Sequence, residues 1–221
     1  MGELKKVLIA VISNRGQWPK QFALSLIELI NETRKDFYVE YFVISSCDVN
    51  HMRNLACLLS INQGKQPRGF KFDYLVQLDD DHMYPADFIK KFIEFDKDVV
   101  VGCTSQRNPP FGPTQYYEFN FIDMKEEKNL CRFKGNEGLV KIKASGPVGM
   151  VMKTDVLEKL EYPYFSQIDV GTPGNFIGGD IFFSKQLEDH GIEMFCDSST
   201  SFPHGLGEGP YSDRGEVRFI K

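Results

Sequence analysis

Three aspartates, Asp79, Asp80 and Asp81, stand side by side in the stretch YLVQLDDDHMYP, after an apolar run and just before His82. Adjacent carboxylates repel one another, and a fold keeps them together only when something neutralises them. In an Asp-x-Asp at the end of a strand, Asp79 and Asp81 point to the same side. Hard oxygen donors in that arrangement suit Mn²⁺ or Mg²⁺, which usually keep waters and take substrate phosphates as further ligands. A solvated acidic loop is the other reading open to the triplet by itself. A calcium loop of the EF-hand type is excluded. Counted from Asp79, its fifth, sixth and twelfth places hold Met83, Tyr84 and Lys90, where Asp or Asn, Gly and Glu are required.

The elements around the triplet follow from periodicity. Apolar runs at Lys5–Ser13, Tyr38–Ser46, Phe72–Leu78 and Asp98–Cys103 are rich in β-branched residues and read as buried parallel strands. Between them lie 3.6-residue stripes: Phe22, Ala23, Leu26, Ile27 and Ile30 after Pro19, then Met52, Leu55, Ala56 and Leu59 after Asp48, a good helix cap. A third helix spans Pro85–Phe95 with Pro at its first position. This alternation predicts a doubly wound α/β fold with a mainly parallel sheet and helices on both faces, in which ligands sit at the carboxyl ends of the strands. The triplet falls there. From Arg107 to Ser145, alternating stretches such as LVKIKAS suggest a smaller antiparallel portion. A helix is expected at Thr154–Leu160, another from Asp180 to Gly191, a last strand over Ile192–Asp197, and a loop-like tail from Ser198.

Composition narrows the function classes. The 221 residues allow one sizeable domain, 1–221. The net charge of −5, from 26 basic and 31 acidic residues without a basic cluster, argues against a dedicated nucleic-acid surface. No apolar run approaches the roughly 20 residues of a transmembrane helix, and the N-terminal apolar run is too short for a signal peptide. Lys6, where Ser or Thr is wanted, counts against myristoylation. The five cysteines are odd in number and lack CxxC spacing, as expected of buried free thiols in a reducing cytoplasm.

A haloacid-dehalogenase-like phosphatase also carries Asp-x-Asp after a strand, but after its first strand and followed by Thr or Val, whereas here the motif follows the third and meets His82. The ordered set HMRNLACLLS, LDDDHMYP, SGPVGMVM and GGDIFFSKQLEDHGIEMFCDSSTSFPHG instead resembles, over nearly the whole chain, a family 2-like inverting glycosyltransferase of the GT-A fold. The resemblance is to short single-domain members of phages and large DNA viruses. One departure is Gly179–Asp180 where the family often has Glu-Asp.

The resemblance implies transfer of a hexose from a nucleotide sugar, expected to be a UDP-sugar, to a hydroxyl of a glycan or glycoprotein in the cytoplasm, of the host cell if the source is viral. Residues 1–104 would bind the nucleotide and 105–221 the acceptor. Asp79, Asp81 and His204 would handle the Mn²⁺ or Mg²⁺ and diphosphate, with Asp80 nearer the ribose or sugar, and His82 is read as a neighbour rather than a ligand. Arg53 lies off its apolar stripe, and the resemblance places it near the base or phosphates, where a guanidinium can stack or donate paired hydrogen bonds. Ser13 and Arg15, with Ser45 to Asp48, would wrap the nucleotide, although turn chemistry accounts for them equally. The stretch SGPVGM (Ser145 to Met150), Gly146 included, would shape the sugar pocket, and Gly178 and Gly179 would let the acceptor approach the backbone closely. Asp180 would be the general base, the competing role being a helix cap. His51 and His190 read as surface residues and Trp18 as packing. A metal-dependent phosphohydrolase and a non-catalytic nucleotide-sugar binding module remain the alternatives.

Overall fold

The computed structural model describes residues 3–63, 69–104, 115–116, 119, 138–169, 176–206 and 218–219. Seven strands form its central sheet: β1 (Lys6–Ile12), β2 (Tyr38–Ile44), β3 (Tyr74–Asp79), β4 (Val99–Cys103), β5 (Leu139–Ile142), β6 (Met150–Lys153) and β7 (Met194–Ser201). Their spatial order is β2-β1-β3-β6-β4-β7-β5. β1, β2, β3, β4 and β7 run parallel, while β6 is inserted antiparallel between β3 and β4, and β5 lies antiparallel on the outer edge of β7.

The reason that β1 reads KVLIAVI without alternation is that both faces of the sheet are covered. Val7, Ile9 and Val11 pack with Phe22, Leu26 and Leu29 of helix α1 (Lys20–Thr33) and with Phe88, Ile89 and Phe92 of α3 (Phe88–Glu94). Leu8, Ala10 and Ile12 share the opposite core with Met52 and Ala56 of α2 (Val49–Ser60) and with Phe183 and Leu187 of α4 (Gly179–Asp189). Each fully buried Leu, Ile or Phe contributes about 1.5–3 kcal/mol. The two cores thereby fix the sheet from both sides.

This topology gathers particular loops at one end. Ser13, Asp79 to His82, Thr104 and the segment after Ser201 all follow carboxyl ends of parallel strands. Because β6 runs the other way and pairs Met150 with Gln77, residues just before it, Gly146 to Gly149, arrive at that same end. Phe202 locks the exit of β7. Its ring centroid lies 5.0 Å from those of Tyr84 and Phe88. A Cβ on Gly102 would stand 2.4 Å from the Phe202 ring and one on Gly149 2.1 Å, so both positions need glycine, and Gly149 also has φ +60°.

Several boundaries differ from the sequence expectation. The third helix starts at Phe88 rather than Pro85, because the preceding turn is pinned elsewhere: Met83 N–H donates to the Pro203 carbonyl at 3.1 Å. Thr154–Leu160 makes only a 3-10 turn, Thr154–Val156, held where Thr154 N–H donates to Asp73 at 3.0 Å. Ser198–Ser201 continue the last strand instead of forming a loop-like tail, with Asp197 accepting from Thr200 and Ser199 side chains. Of the antiparallel portion expected over Arg107–Ser145, β5 and a short pair, Gln115–Tyr116 with Ala144–Ser145, are seen, and the rest lies outside the described residues. Cys57 and Cys196 are buried as expected but Cys47 is exposed, and Cys131 lies outside the described residues. Among the described residues no helix is long and apolar enough to cross a membrane.

Phe202 supplies the first prediction. Phe202→Ala should lower stability by roughly 3–5 kcal/mol, the usual cost of truncating a buried Phe, as read from the denaturation midpoint. A loss under about 1 kcal/mol would mean that the ring is not the lock described.

Candidate functional site

The triplet is held residue by residue. Tyr84 is fully buried, and its hydroxyl closes the turn on Asp79, accepting from the Asp79 N–H at 2.9 Å and donating to the Asp79 carbonyl at 3.0 Å. Burial drives the Tyr84 phenol well above its ordinary range, so the hydroxyl keeps its proton. The three side chains then part company. Asp79 accepts from Arg53 Nη2 through both oxygens, at 2.8 and 3.1 Å. Asp80 accepts from Ser13 Oγ at 2.5 Å and lies 3.5 Å from Arg15 Nε. Asp81 faces Arg15 Nη2 at 3.4 Å, His82 Nδ1 at 2.8 Å and His204 Nε2 at 3.5 Å.

The carboxyls differ in acidity accordingly. Burial raises Asp80, with the charges of Asp81 and Asp79 adding to it, although Ser13 and Arg15 oppose the rise. Burial alone would raise Asp81 too, but the imidazoles of His204 and His82 outweigh it and hold that carboxyl well below the usual range. Asp80 is thus the weaker acid of the pair and Asp81 the stronger.

A backbone bridge joins the acidic turn to the loop after β7. His82 and His204 pair antiparallel, Gly205 N–H donates to the Asp81 carbonyl at 2.7 Å, and the two imidazoles stack with centroids 4.1 Å apart. Donor atoms of Asp81, His82 and His204 lie within 4.8 Å of one another, a group that can hold a metal ion. The donor chemistry fits one. His82 is 2% exposed, and neither ring nitrogen has an aligned hydrogen-bond partner among the described residues. A buried polar atom left so costs about 1–3 kcal/mol unless a ligand satisfies it.

A cleft of about 310 Å³ opens over this turn, lined by Arg53, Asp79, Asp81, His82 and His204 on one side and by Thr104, Tyr116, Gly146, Pro147, Val148 and Asp180 on the other. Of the residues singled out from the sequence, Arg53, Asp79, Asp81, Gly146, Asp180 and His204 therefore meet in one space. Ser13, Arg15 and Asp80 stand next to it as a linked group, tied further by Trp18 Nε1 donating to Ser13 Oγ at 3.1 Å. Trp18 also packs edge-on against Phe22. Ser45 is exposed, and the Asp48 side chain caps α2, accepting from Asn50 N–H at 2.8 Å. Neither lines this cleft. His51 and His190 are exposed, as expected.

The structure adds to three of these readings. Arg53, although off its apolar stripe, is buried: besides Asp79, it donates from Nη1 to Gln77 at 3.1 Å, between α2 and β3. His82 belongs to the metal-capable group. Asp180 is the second residue of α4, whose cap is Gly178, and its carboxylate accepts from Ile181 N–H at 2.9 Å. It is therefore no cap, although a carboxylate in the first turn is favoured by the helix dipole. Gly179 packs against α2, where an added Cβ would lie 2.0 Å from Asn50 Oδ1. Pro147 and Val148 belong to the SGPVGM stretch expected to shape the pocket, whereas Thr104 and Tyr116 were not foreseen. Only Thr104 carried a signal, as the polar residue directly after a strand.

No protein-family model matches this sequence, and no curated protein resembles it in sequence. The fold is shared with solved structures. A197 from STIV matches with a TM-score of 0.57 at 18% identity, over 98% of this chain and 94% of that one. TarS 1–349 of S. aureus matches with a TM-score of 0.50 at 11% identity, over 90% of this chain and 59% of that one. The chain has the GT-A fold, the α/β glycosyltransferase fold that its sequence motifs resemble.

The burial of Arg53 sets the second prediction. Removing one partner of a buried ion pair costs about 3–5 kcal/mol. Because the Asp79 side chain is 24% exposed, Arg53→Ala should fall near the lower end, about 3 kcal/mol. Chemical denaturation measures it, and an unchanged midpoint would return Arg53 to a purely ligand-facing role.

Proposed function

We propose that this chain is a metal-dependent inverting glycosyltransferase that moves a hexose from a nucleotide sugar, a UDP-sugar in this reading, to a hydroxyl of a glycan or glycoprotein. The observation that supports it is the meeting, in one cleft of a GT-A fold, of the Asp81–His204 pair and Asp180. Residues 1–104 would bind the nucleotide and residues 105–221 the acceptor.

Asp81 and His204 would hold a Mn²⁺ or Mg²⁺ ion. When bound, such an ion takes up negative charge that develops on a departing diphosphate. The chain's own groups do the rest. Arg15, partly exposed beside Asp80 and Asp81, can turn its guanidinium to phosphate oxygens. Arg53 and Tyr84 keep Asp79 in place, so the turn does not reorganise as charge shifts. Asp180, across the cleft, removes the proton from the acceptor hydroxyl as its oxygen attacks the anomeric carbon. Gly146 leaves open space in front of it, since an added Cβ would approach Asp180 Oδ2 to 4.0 Å.

Gly179 bears on the binding-module alternative, which drew on the missing acidic neighbour of Asp180. Its Cβ position is taken by the end of the Asn50 side chain, so any larger residue there would displace Asn50. The absent Glu therefore goes together with the placing of Asn50, and Asp180 itself is kept.

Asp180→Asn tests the reading. Gly178 is the cap, so the change forfeits only a first-turn charge worth about 0.3–1 kcal/mol. An amide accepts no proton at neutral pH, and loss of a general base slows reactions by about 10²–10⁴-fold. Transfer from UDP-sugars in the presence of Mn²⁺ should collapse by that factor while melting temperature and UDP affinity stay near those of the parent. Transfer at the parent rate would remove Asp180 from the chemistry.

A further inference from the structure

We propose that His82 is a direct metal donor, so that the cation centre consists of two imidazoles and one carboxylate, His82, His204 and Asp81, and excludes Asp79. The proposal deepens the metal-dependent reading above and rests on its assumption that a dication works in this cleft.

Asp79 is the less able donor. Both its oxygens accept from Arg53, which is buried and tied also to Gln77. Drawing Asp79 onto a cation would strand a buried guanidinium, a costly rearrangement. His82 is in the opposite condition. Its Nδ1 stands 2.8 Å from Asp81 Oδ1, yet no hydrogen bond is aligned between them. Both atoms are metal donors facing one space, and a cation coordinated by both would satisfy a buried ring nitrogen that has no aligned partner. The ring cannot turn away to water, being 2% exposed, stacked on His204 and backed by the Tyr84 ring with centroids 6.3 Å apart.

The backbone bridge between residues 82 and 204 presets the pair of imidazoles before any ion arrives. Such a donor set has a chemical consequence. Imidazole nitrogen suits Mn²⁺, Co²⁺, Ni²⁺ and Zn²⁺, whereas Mg²⁺ and Ca²⁺ prefer oxygen ligands throughout. A centre of Asp79, Asp81 and His204, with two carboxylates and one nitrogen donor, would tolerate Mg²⁺ better. The centre described here would discriminate against it.

The test uses the full chain and metal ions alone, without nucleotide. Calorimetry should show Mn²⁺ and Co²⁺ binding at least about 10-fold more tightly than Mg²⁺, and bound Co²⁺ should give visible absorption bands of mixed nitrogen and oxygen ligation. His82→Gln should weaken Co²⁺ binding by at least about 10-fold, the lower bound known for merely supporting partners, and shift those bands. Asp79→Asn should leave them in place. Mg²⁺ binding as tightly as Mn²⁺, or a His82→Gln spectrum and affinity equal to the parent's, overturns the proposal. If the buried substitution unfolds, X-ray absorption of Co²⁺ bound to the unaltered chain counts the coordinated imidazoles: two are expected, and one overturns the proposal. Turnover of UDP-sugars is measured separately: its absence beside the expected metal series sinks the transferase reading, and its presence beside equal Mg²⁺ and Mn²⁺ affinity sinks this proposal alone.

Discussion

Two unit charges about 4 Å apart repel by roughly 4 kcal/mol at an effective dielectric of about 20, and this chain places three carboxylates on consecutive residues at one strand end. The fold meets that constraint by giving each a different partner from a different element. Asp79 takes Arg53 from α2, Asp80 takes Ser13 and Arg15 from the end of β1, and Asp81 takes His204 from the loop after β7. The strand order places β1 directly beside β3, and Tyr84 and Phe202 pack together to anchor the two ends of the His82–His204 bridge. Neutralising the triplet thus requires the assembled sheet rather than any local turn.

The same division separates roles that the triplet alone cannot separate. A carboxylate clamped by a buried guanidinium is a fixed structural charge. One that accepts from a serine and faces Arg15 is tied to the end of β1. One held ionised between imidazoles is suited to a cation. Sequence spacing treats Asp79 and Asp81 as equivalent because both point to the same side of the strand end. Their partners, distant in sequence, make them different.

The parallel half of the fold was legible to within three residues, because apolar runs, 3.6-residue stripes and the Asp48 cap are local signals. What failed was long-range. Arg53 sits off the apolar stripe of α2, and pattern reasoning equates that with exposure, but α2 crosses β3 where Gln77 and Asp79 supply polar partners. His82 looked incidental since its ring direction is set by pairing with a loop over a hundred residues later. β6 offered only four residues and no alternation, so its insertion between β3 and β4 could not be seen. Asp81, Asp180 and His204, each on a whole motif, line one cleft together with Arg53, Asp79 and Gly146.

The antiparallel β6 also explains why the cleft has two chemically distinct walls. Had β3 and β4 been direct neighbours, every loop at this end would leave a strand, and all would carry the polar turn residues such exits favour. β6 instead enters there, and the approach to it, Ser145 to Gly149, is tied down by contacts that leave little freedom. Ser145 N–H donates to Ser184 Oγ of α4, while Gly149 yields its Cβ space to Phe202. Ser184 in turn donates to the Asp180 carbonyl. Thus one antiparallel strand fixes the apolar wall of Pro147 and Val148 and holds the first turn of α4 against it, opposite the acidic turn. The separation of a cation-holding side from a proton-accepting side is a property of the sheet order, and moving either wall requires repacking Phe202, on which both depend.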